Sequence, residues 1–398
     1  MRRVVSSAWG IALLALAGSF VFGAGLAIAA QKYLIKIPAI TIEIEAVEEA
    51  APPIPETKPD PELPPAEPIP PIANREPVST WLVEREGKLV DATTGKEWRA
   101  WGTNLVGYAL THSPLDELDR FLDRCVAADV RLIRVHGLDG EIGAEGSWPT
   151  WFENDSTMKH SEPVLSRLDW FFEACGRRGI RVWLTFLHRR ILTSADGPET
   201  PFGKISLWSE LQGTRPGGVF KGEVRETVFF DPVIEALARH HARQLLGRRN
   251  TVTGKLWSDD PALAIVSVCN ELDPSRAKAY PPSDRAPGSD FKAAWLARWD
   301  EFNAGKNLKG TKQEINFFLA DLAFRFHSRM IADLRAAGFK GICNSSSVYG
   351  DCPMVVICGQ LAGNLLDVHL YGPDDEAQPD PLDPNTDGNS ARTLGSVL

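Results

Sequence analysis

The chain has 398 residues, 43% hydrophobic and 24% charged, which excludes wholesale disorder and suits one large globular domain with appendages. A formal net charge of −9 argues against a constitutive nucleic-acid binder, because phosphate binding needs clustered Lys and Arg. Six cysteines without a C-x-x-C pair exclude a disulfide-dense scaffold and signal no zinc site.

Residues 4–31 carry no charged side chain and follow Arg2 and Arg3, the composition that the hydrocarbon core of a membrane demands of a helix. Two readings of this segment stand side by side. Its length favours an uncleaved anchor, and the small residues around Ala27-Ile28-Ala29 fit a cleaved signal. Both export the rest of the chain, to the membrane surface or beyond it, and keep the arginines cytoplasmic. From Pro52 to Pro77 eleven of twenty-six residues are proline, which fixes φ and removes backbone donors, so this stretch reads as an extended, disordered spacer on the order of 80 Å long. The expected organisation is a membrane-targeting segment at 1–31, a Pro-rich linker at 32–77 and a folded domain at 78–398.

Within the folded domain, 81–98 reads as a hairpin and 99–107 (RAWGTNLVG) as a strand running into a loop. Ser113 and Pro114 are expected at the N-cap and first turn of a helix whose apolar face is Leu115, Leu118, Phe121, Leu122, Cys125 and Val126. The strand RLIRVH at 131–136 follows. A second cycle has a helix carrying Leu165, Leu168, Phe172 and Cys175, then the β-branched strand at 179–187. Asp231-Pro232 opens a helix through Leu246, and ALAIVSVCNE at 262–271 is a nearly continuous apolar strand, as expected where both sheet faces are covered. A long helix at 313–337 leads to strands at 341–347 and 365–372. Six strands alternating with helices predict a parallel α/β sheet of the (β/α)8 barrel type with about six of its eight units present, its active site at the strand C-termini. An open six-strand sheet leaves two edges in need of cover, and a second chain completing the barrel is one of the ways to supply it.

The order and placement of five motifs resemble the retaining glycoside hydrolases of clan A, in particular the cellulase- and mannanase-type enzymes of the family-five kind. These are WGTN on the first strand, Arg134 on the second, Asp260-Pro261-Ala262 entering the fourth, Asn270-Glu271 closing it, and His369-x-Tyr371 on the sixth. The resemblance covers about 98–371. It implies hydrolysis of O-glycosidic bonds in a polysaccharide or oligosaccharide without a cofactor, with Glu271 as general acid/base. By the same resemblance Asn270 hydrogen-bonds a sugar hydroxyl, and Arg134, His369 and Tyr371 surround the nucleophilic carboxylate. The chemistry agrees independently, since cleavage needs a proton on the leaving oxygen and a carboxyl beside the apolar strand IVSVC is in surroundings that favour its neutral form.

His136, Asp139 and His188, at the ends of strands two and three, are expected to line the cleft, and Trp101 and Asn104 of the first strand to contact substrate. Among the tryptophans, Trp101, Trp148, Trp151 and Trp208 are expected as stacking platforms for sugar rings, and Trp170, Trp183, Trp295 and Trp299 as core. His240 and His241 fall on a helix outside the barrel, no metal-ligand cluster has sensible spacing, and no Gly-rich phosphate loop is present, so no metal or cofactor is predicted. In the clan the nucleophile lies on strand seven. Asp374, Asp375 and Glu376 do not match that position, and ARTLGSVL reads as the start of the helix leading toward it, so the chain is expected to be truncated before strand seven. The alternative class is a non-catalytic, envelope-anchored carbohydrate-binding or structural protein derived from such an enzyme.

Overall fold

Arg181–Leu187 and Leu263–Cys269 are each seven buried residues in a row, and a strand shielded on both faces belongs in the middle of a parallel sheet. The computed structural model of the chain describes residues 75–140, 150–153, 158–188, 192, 196–208, 225–274, 290–348 and 353–369. The targeting segment 1–31, almost all of the linker, Trp148, Tyr371, Asp374, Asp375, Glu376 and the ARTLGSVL segment lie outside the described residues. Among the described residues no helix is long and apolar enough to cross a membrane.

In chain order the elements begin with the antiparallel hairpin β1 (Leu82–Arg85) and β2 (Lys88–Asp91), whose turn Glu86-Gly87 has both residues at positive φ, as a tight hairpin turn requires. They continue with β3 (Trp101–Val106), α1 (Gly107–His112), α2 (Leu115–Ala127), β4 (Val130–His136), α3 (Glu162–Arg177), β5 (Arg181–Leu187), and a two-residue pair β6 (Glu199–Thr200) and β7 (Gly203–Lys204). The remainder is α4 (Pro232–Leu246), β8 (Leu263–Cys269), α5 (Asp290–Asn303), α6 (Lys312–Ala336), β9 (Ile342–Val348), α7 (Pro353–Gln360) and β10 (Leu365–Val368). Six strands form one parallel sheet in the order β10-β9-β8-β5-β4-β3, which is the chain order. A sheet wound in one direction by helical crossovers carries its helices on one face, and this half-barrel is the partial (β/α)8 architecture expected.

Local chemistry sets the helix starts. The Asp231 carboxylate accepts from the backbone N–H of Val233 and Ile234 with Pro232 in the first turn, and α6 opens on a capping box between Thr311 and Glu314. The start of α2 differs from expectation. Ser113 closes the short helix α1, with its N–H bonded to Ala109, so Pro114 becomes the N-cap of α2 and no side chain caps that helix. The apolar residues of the helices and the outward side of the strands form the main core, with Leu168, Phe172, Leu184, Leu245, Val266 and Phe326 wholly buried. A second cluster lies on the other face: Leu82 and Leu89 of the hairpin pack with Trp183, Ala264, Ile265, Ile342 and Leu365, and Trp98 and Leu132 close on it. The hairpin therefore covers the helix-free face near the strand N-termini, each large side chain contributing about 1.5–3 kcal/mol by leaving water.

Candidate active site

Register turns the helix-free face into rows of side chains. Arg134 of β4 pairs with Trp183 of β5, Trp183 with Ile265 of β8, and Ile265 with Ile342 of β9. Two residues further along, Ser267 pairs with Asn344, and Asp367 of β10 lies opposite Ser347. On β5, β8 and β9 side chains thus change from apolar to polar along the strand direction, and the polar end is the C-terminal one. In that middle row Trp183 Nε1 donates to Ser267 Oγ at 2.5 Å, Ser267 donates to Asn344 Oδ1 at 2.8 Å, and Asn344 Nδ2 donates to the Leu365 carbonyl at 3.0 Å. Every link is buried, so the ladder fixes the Trp183 ring.

Arg134 rests on that ring, its guanidinium 5.5 Å from the indole centroid, and is itself buried. It donates through Nη2 to Asn270 Oδ1 at 2.6 Å. A guanidinium has no acceptor, so the contact settles the amide orientation: the carbonyl of Asn270 faces Arg134 and its NH2 group faces the other way. Asn270 is tied to β5 as well, its N–H bonded to the Leu187 carbonyl at 2.8 Å.

Glu271, the next residue, has φ +49°, a left-handed conformation that costs a non-glycine residue about 1 kcal/mol or more. The chain turns sharply there as β8 ends, and Ser346 Oγ on β9 holds the turn by donating to the Leu272 carbonyl at 3.2 Å. The turn brings Glu271 Oε1 within 2.5 Å of His369 Nδ1, from the residue following β10. The Glu271 side chain keeps 17% exposure against 3% for His369, so the carboxyl can be reached and the imidazole cannot. On the far side of the ring, Nε2 lies 3.5 Å from Asp367 Oδ2. Burial alone would push the His369 pKa down, but hydrogen bonding to Asp367 and Glu271 outweighs it and raises the value above 6.5. His136 goes the other way. Burial, with the charges of Arg134, His188 and His369, pushes it down to about 2, so it is neutral at ordinary pH.

The structure brings only some of the remaining expected site residues together. Asn104 sits beside Arg134 in register, and His136 and His188 stand with rings 5.5 Å apart at the ends of β4 and β5, where the buried Asp139 carboxylate accepts from the His188 backbone N–H at 2.8 Å. Trp101 is not with them. It begins β3, paired with Val130 at the start of β4, and so stands at the opposite end of the sheet from Glu271, 72% exposed. Trp151 is no platform either: it is fully buried, edge-on to His241 at 4.9 Å, and Trp208 is half-buried against the core. Trp183 and Trp295 are buried as expected, and Tyr371 lies outside the described residues. Sequence reasoning missed Asp367, Ser347 and the supporting role of Trp183. The available signal was a lone Asp in the apolar strand LLDV. His241 meets His160 at 2.7 Å in the core, and among the described residues no group of three or more His, Cys, Asp or Glu is placed to hold a metal ion.

A parallel half-barrel whose second, fourth and sixth strands bring Arg134, Asn270-Glu271 and His369 to one end resembles the glycoside hydrolases of clan A. No protein-family profile matches the chain. It is 25% identical over 118 residues to mannan endo-1,4-beta-mannosidase 1 of Oryza sativa subsp. japonica, a match covering 29% of this chain and 24% of that protein. Among solved structures it is similar to the endo-1,4-beta-mannanase of Rhizomucor miehei, at 12% identity and TM-score 0.42, covering 71% of this chain and 66% of that one. It is also similar to an exo-beta-1,4-mannosidase from Opitutaceae bacterium strain TAV5, at 17% identity and TM-score 0.41, covering 73% and 41%. The chain thus spans less than two thirds of each of these relatives.

Proposed function

We propose that the chain carries the acid/base half of a retaining hydrolysis of O-glycosidic bonds in a polysaccharide or oligosaccharide, with Glu271 as general acid/base. The observation that carries this reading is the placement of Glu271: a strained carboxyl residue at the C-terminal end of a central strand, reachable from solvent, held at 2.5 Å by a buried histidine. Its proton goes to the leaving glycosidic oxygen as a second carboxylate bonds to the anomeric carbon, and in the second step the Glu271 carboxylate takes a proton from the water that displaces that carboxylate. Asn270, its carbonyl occupied by Arg134, presents NH2 donors to a sugar hydroxyl beside the scissile bond. The retaining route needs a second carboxylate about 5 to 5.5 Å from the first, and no residue of this chain is assigned to that role.

The sequence match to a rice mannanase makes soluble β-mannan the first substrate to test, with β-glucans beside it. Reducing ends released by the full chain should fall at least about 100-fold in Glu271→Gln, the usual scale for losing a general acid. Equal release by both proteins would remove Glu271 from the reaction. Retention of polysaccharide with no release by either would favour a binding protein instead. The charge-free segment behind Arg2 and Arg3 supports export of the domain on its proline-rich spacer, which protease accessibility on intact cells tests.

A further inference from the structure

Asp367 is wholly buried in the middle of β10, although a carboxylate in an apolar strand is expensive unless its partners are well placed. Ser347 of β9 donates to its Oδ2 at 2.8 Å. Its backbone is gripped from α7 by a single side chain: Gln360 Nε2 donates to the Asp367 carbonyl and the Asp367 N–H donates to Gln360 Oε1, both at 2.8 Å. The same Oδ2 lies 3.5 Å from His369 Nε2, while Nδ1 of that ring is 2.5 Å from Glu271 Oε1. The imidazole therefore stands between two carboxyl groups, one locked in place and sealed from water, the other partly exposed and at the proposed reaction site.

We propose that Asp367 is a positioning residue that fixes His369 as its Nε2–H tautomer, so that Glu271 and Nδ1 of His369 hold one mobile proton between them. This rests on the reading of Glu271 as the acid/base. Asp367 Oδ2 accepts from the Ser347 hydroxyl and lies 3.5 Å from Nε2, so the ring nitrogen turned toward that acceptor is the one that carries the proton, and the lone pair of the neutral ring is left on Nδ1. With one proton in the pair, Glu271 is a carboxylic acid donating to Nδ1, or a carboxylate accepting from an imidazolium. The composition is the same, and delivery to a leaving oxygen ends in both cases with ionised Glu271 and neutral His369. Among the described residues, the charged and titratable groups around the ring include Glu271 after β8, Arg134 and His136 on β4, and Asp367 on β10, with the Ser347 hydroxyl on β9. Arg134 opposes an imidazolium and Asp367 supports it, so Asp367 is what keeps the proton within reach.

The test is 15N NMR of the histidine-labelled full chain, with the His369 signals identified by their loss in His369→Gln. The expected result is the Nε2–H tautomer on the alkaline side of the titration and, in Asp367→Asn, a drop of about tenfold or more in proton affinity of the ring. An Nδ1–H tautomer, or a titration unmoved by Asp367→Asn, would overturn the proposal. The tautomer is read in the unaltered protein, so the test stands even where Asp367→Asn fails to fold. No sugar is involved, so the result is separate from the glycosidase reading: absence of hydrolysis overturns that reading and leaves the tautomer to be decided by its own measurement. In the active enzyme, Asp367→Asn should move the alkaline limb of the kcat profile to lower pH and leave KM largely unchanged, and an unmoved limb counts against the proposal.

Discussion

Glu271 combines two properties that pull in different directions. Its left-handed backbone destabilises the fold, yet that conformation is what turns the carboxyl toward His369. Asn tolerates this region of backbone space far better than Glu. Glu271→Asn should therefore raise the unfolding free energy by up to about 1 kcal/mol while abolishing hydrolysis, whereas Glu271→Gln keeps the strain and loses only the proton. Urea unfolding of the two variants beside the unaltered chain separates these effects. A destabilised Glu271→Asn would show that the His369 contact more than offsets the strain.

At the scale of elements, β4, β5 and β8 were legible because each is a β-branched or apolar run set between helical periodicities, and Asp231-Pro232 announced α4 by its capping chemistry. Three things were not legible. The six-residue α1 has no room to show a period, so Ser113 read as a start when it is an end. The direction of β3 puts Trp101 at its first residue, and only pairing with β4 reveals that this is the wrong end of the sheet for a sugar platform. Asp367 was passed over because its value lies in burial and in contacts to Ser347 and Gln360, neither of which is a pattern along the chain. Asn270 and Glu271 were legible because strand, motif and position coincide in one short stretch.

Asp231 shows what one capping residue can hold together. Besides the two N–H groups of α4, its other oxygen accepts from Ser206 Oγ at 2.8 Å and from the Leu207 N–H at 2.9 Å, and the residue is wholly buried. Asp231→Ala removes the cap and leaves buried donors unpaired, so the expected loss is at least about 2 kcal/mol, above the usual cost of an exposed cap. Asp231→Asn should recover part of it, as an amide oxygen still accepts. A loss below about 1 kcal/mol in Asp231→Ala, read from thermal or urea unfolding, would mean that water replaces the carboxylate.

Among the described residues the sheet separates two environments, a packed helical side and a helix-free face that grades from the hairpin end to the polar end. That separation sets how stability depends on acid. His327 of α6 is buried among Phe229, Phe326 and the α7 backbone at Gly359, and burial alone pushes its pKa down to about 3. With His136 at about 2, two histidines stay neutral in the fold but take a proton near pH 6.5 in the unfolded chain. Below that pH the unfolded state binds more protons, so stability falls as pH falls, by about 1.4 kcal/mol per pH unit for each histidine. His369 has the opposite sign: its raised pKa contributes stability that is present below 6.5 and fades as pH climbs through the folded value. His327 is remote from the proposed chemistry and isolates the first effect. Between pH 6.5 and 5 the unaltered chain should lose about 2 kcal/mol more than His327→Gln, measured by urea unfolding at each pH. Equal losses in the two proteins would mean that His327 is charged inside the fold, and the packing of α6 against α7 would then have to admit water.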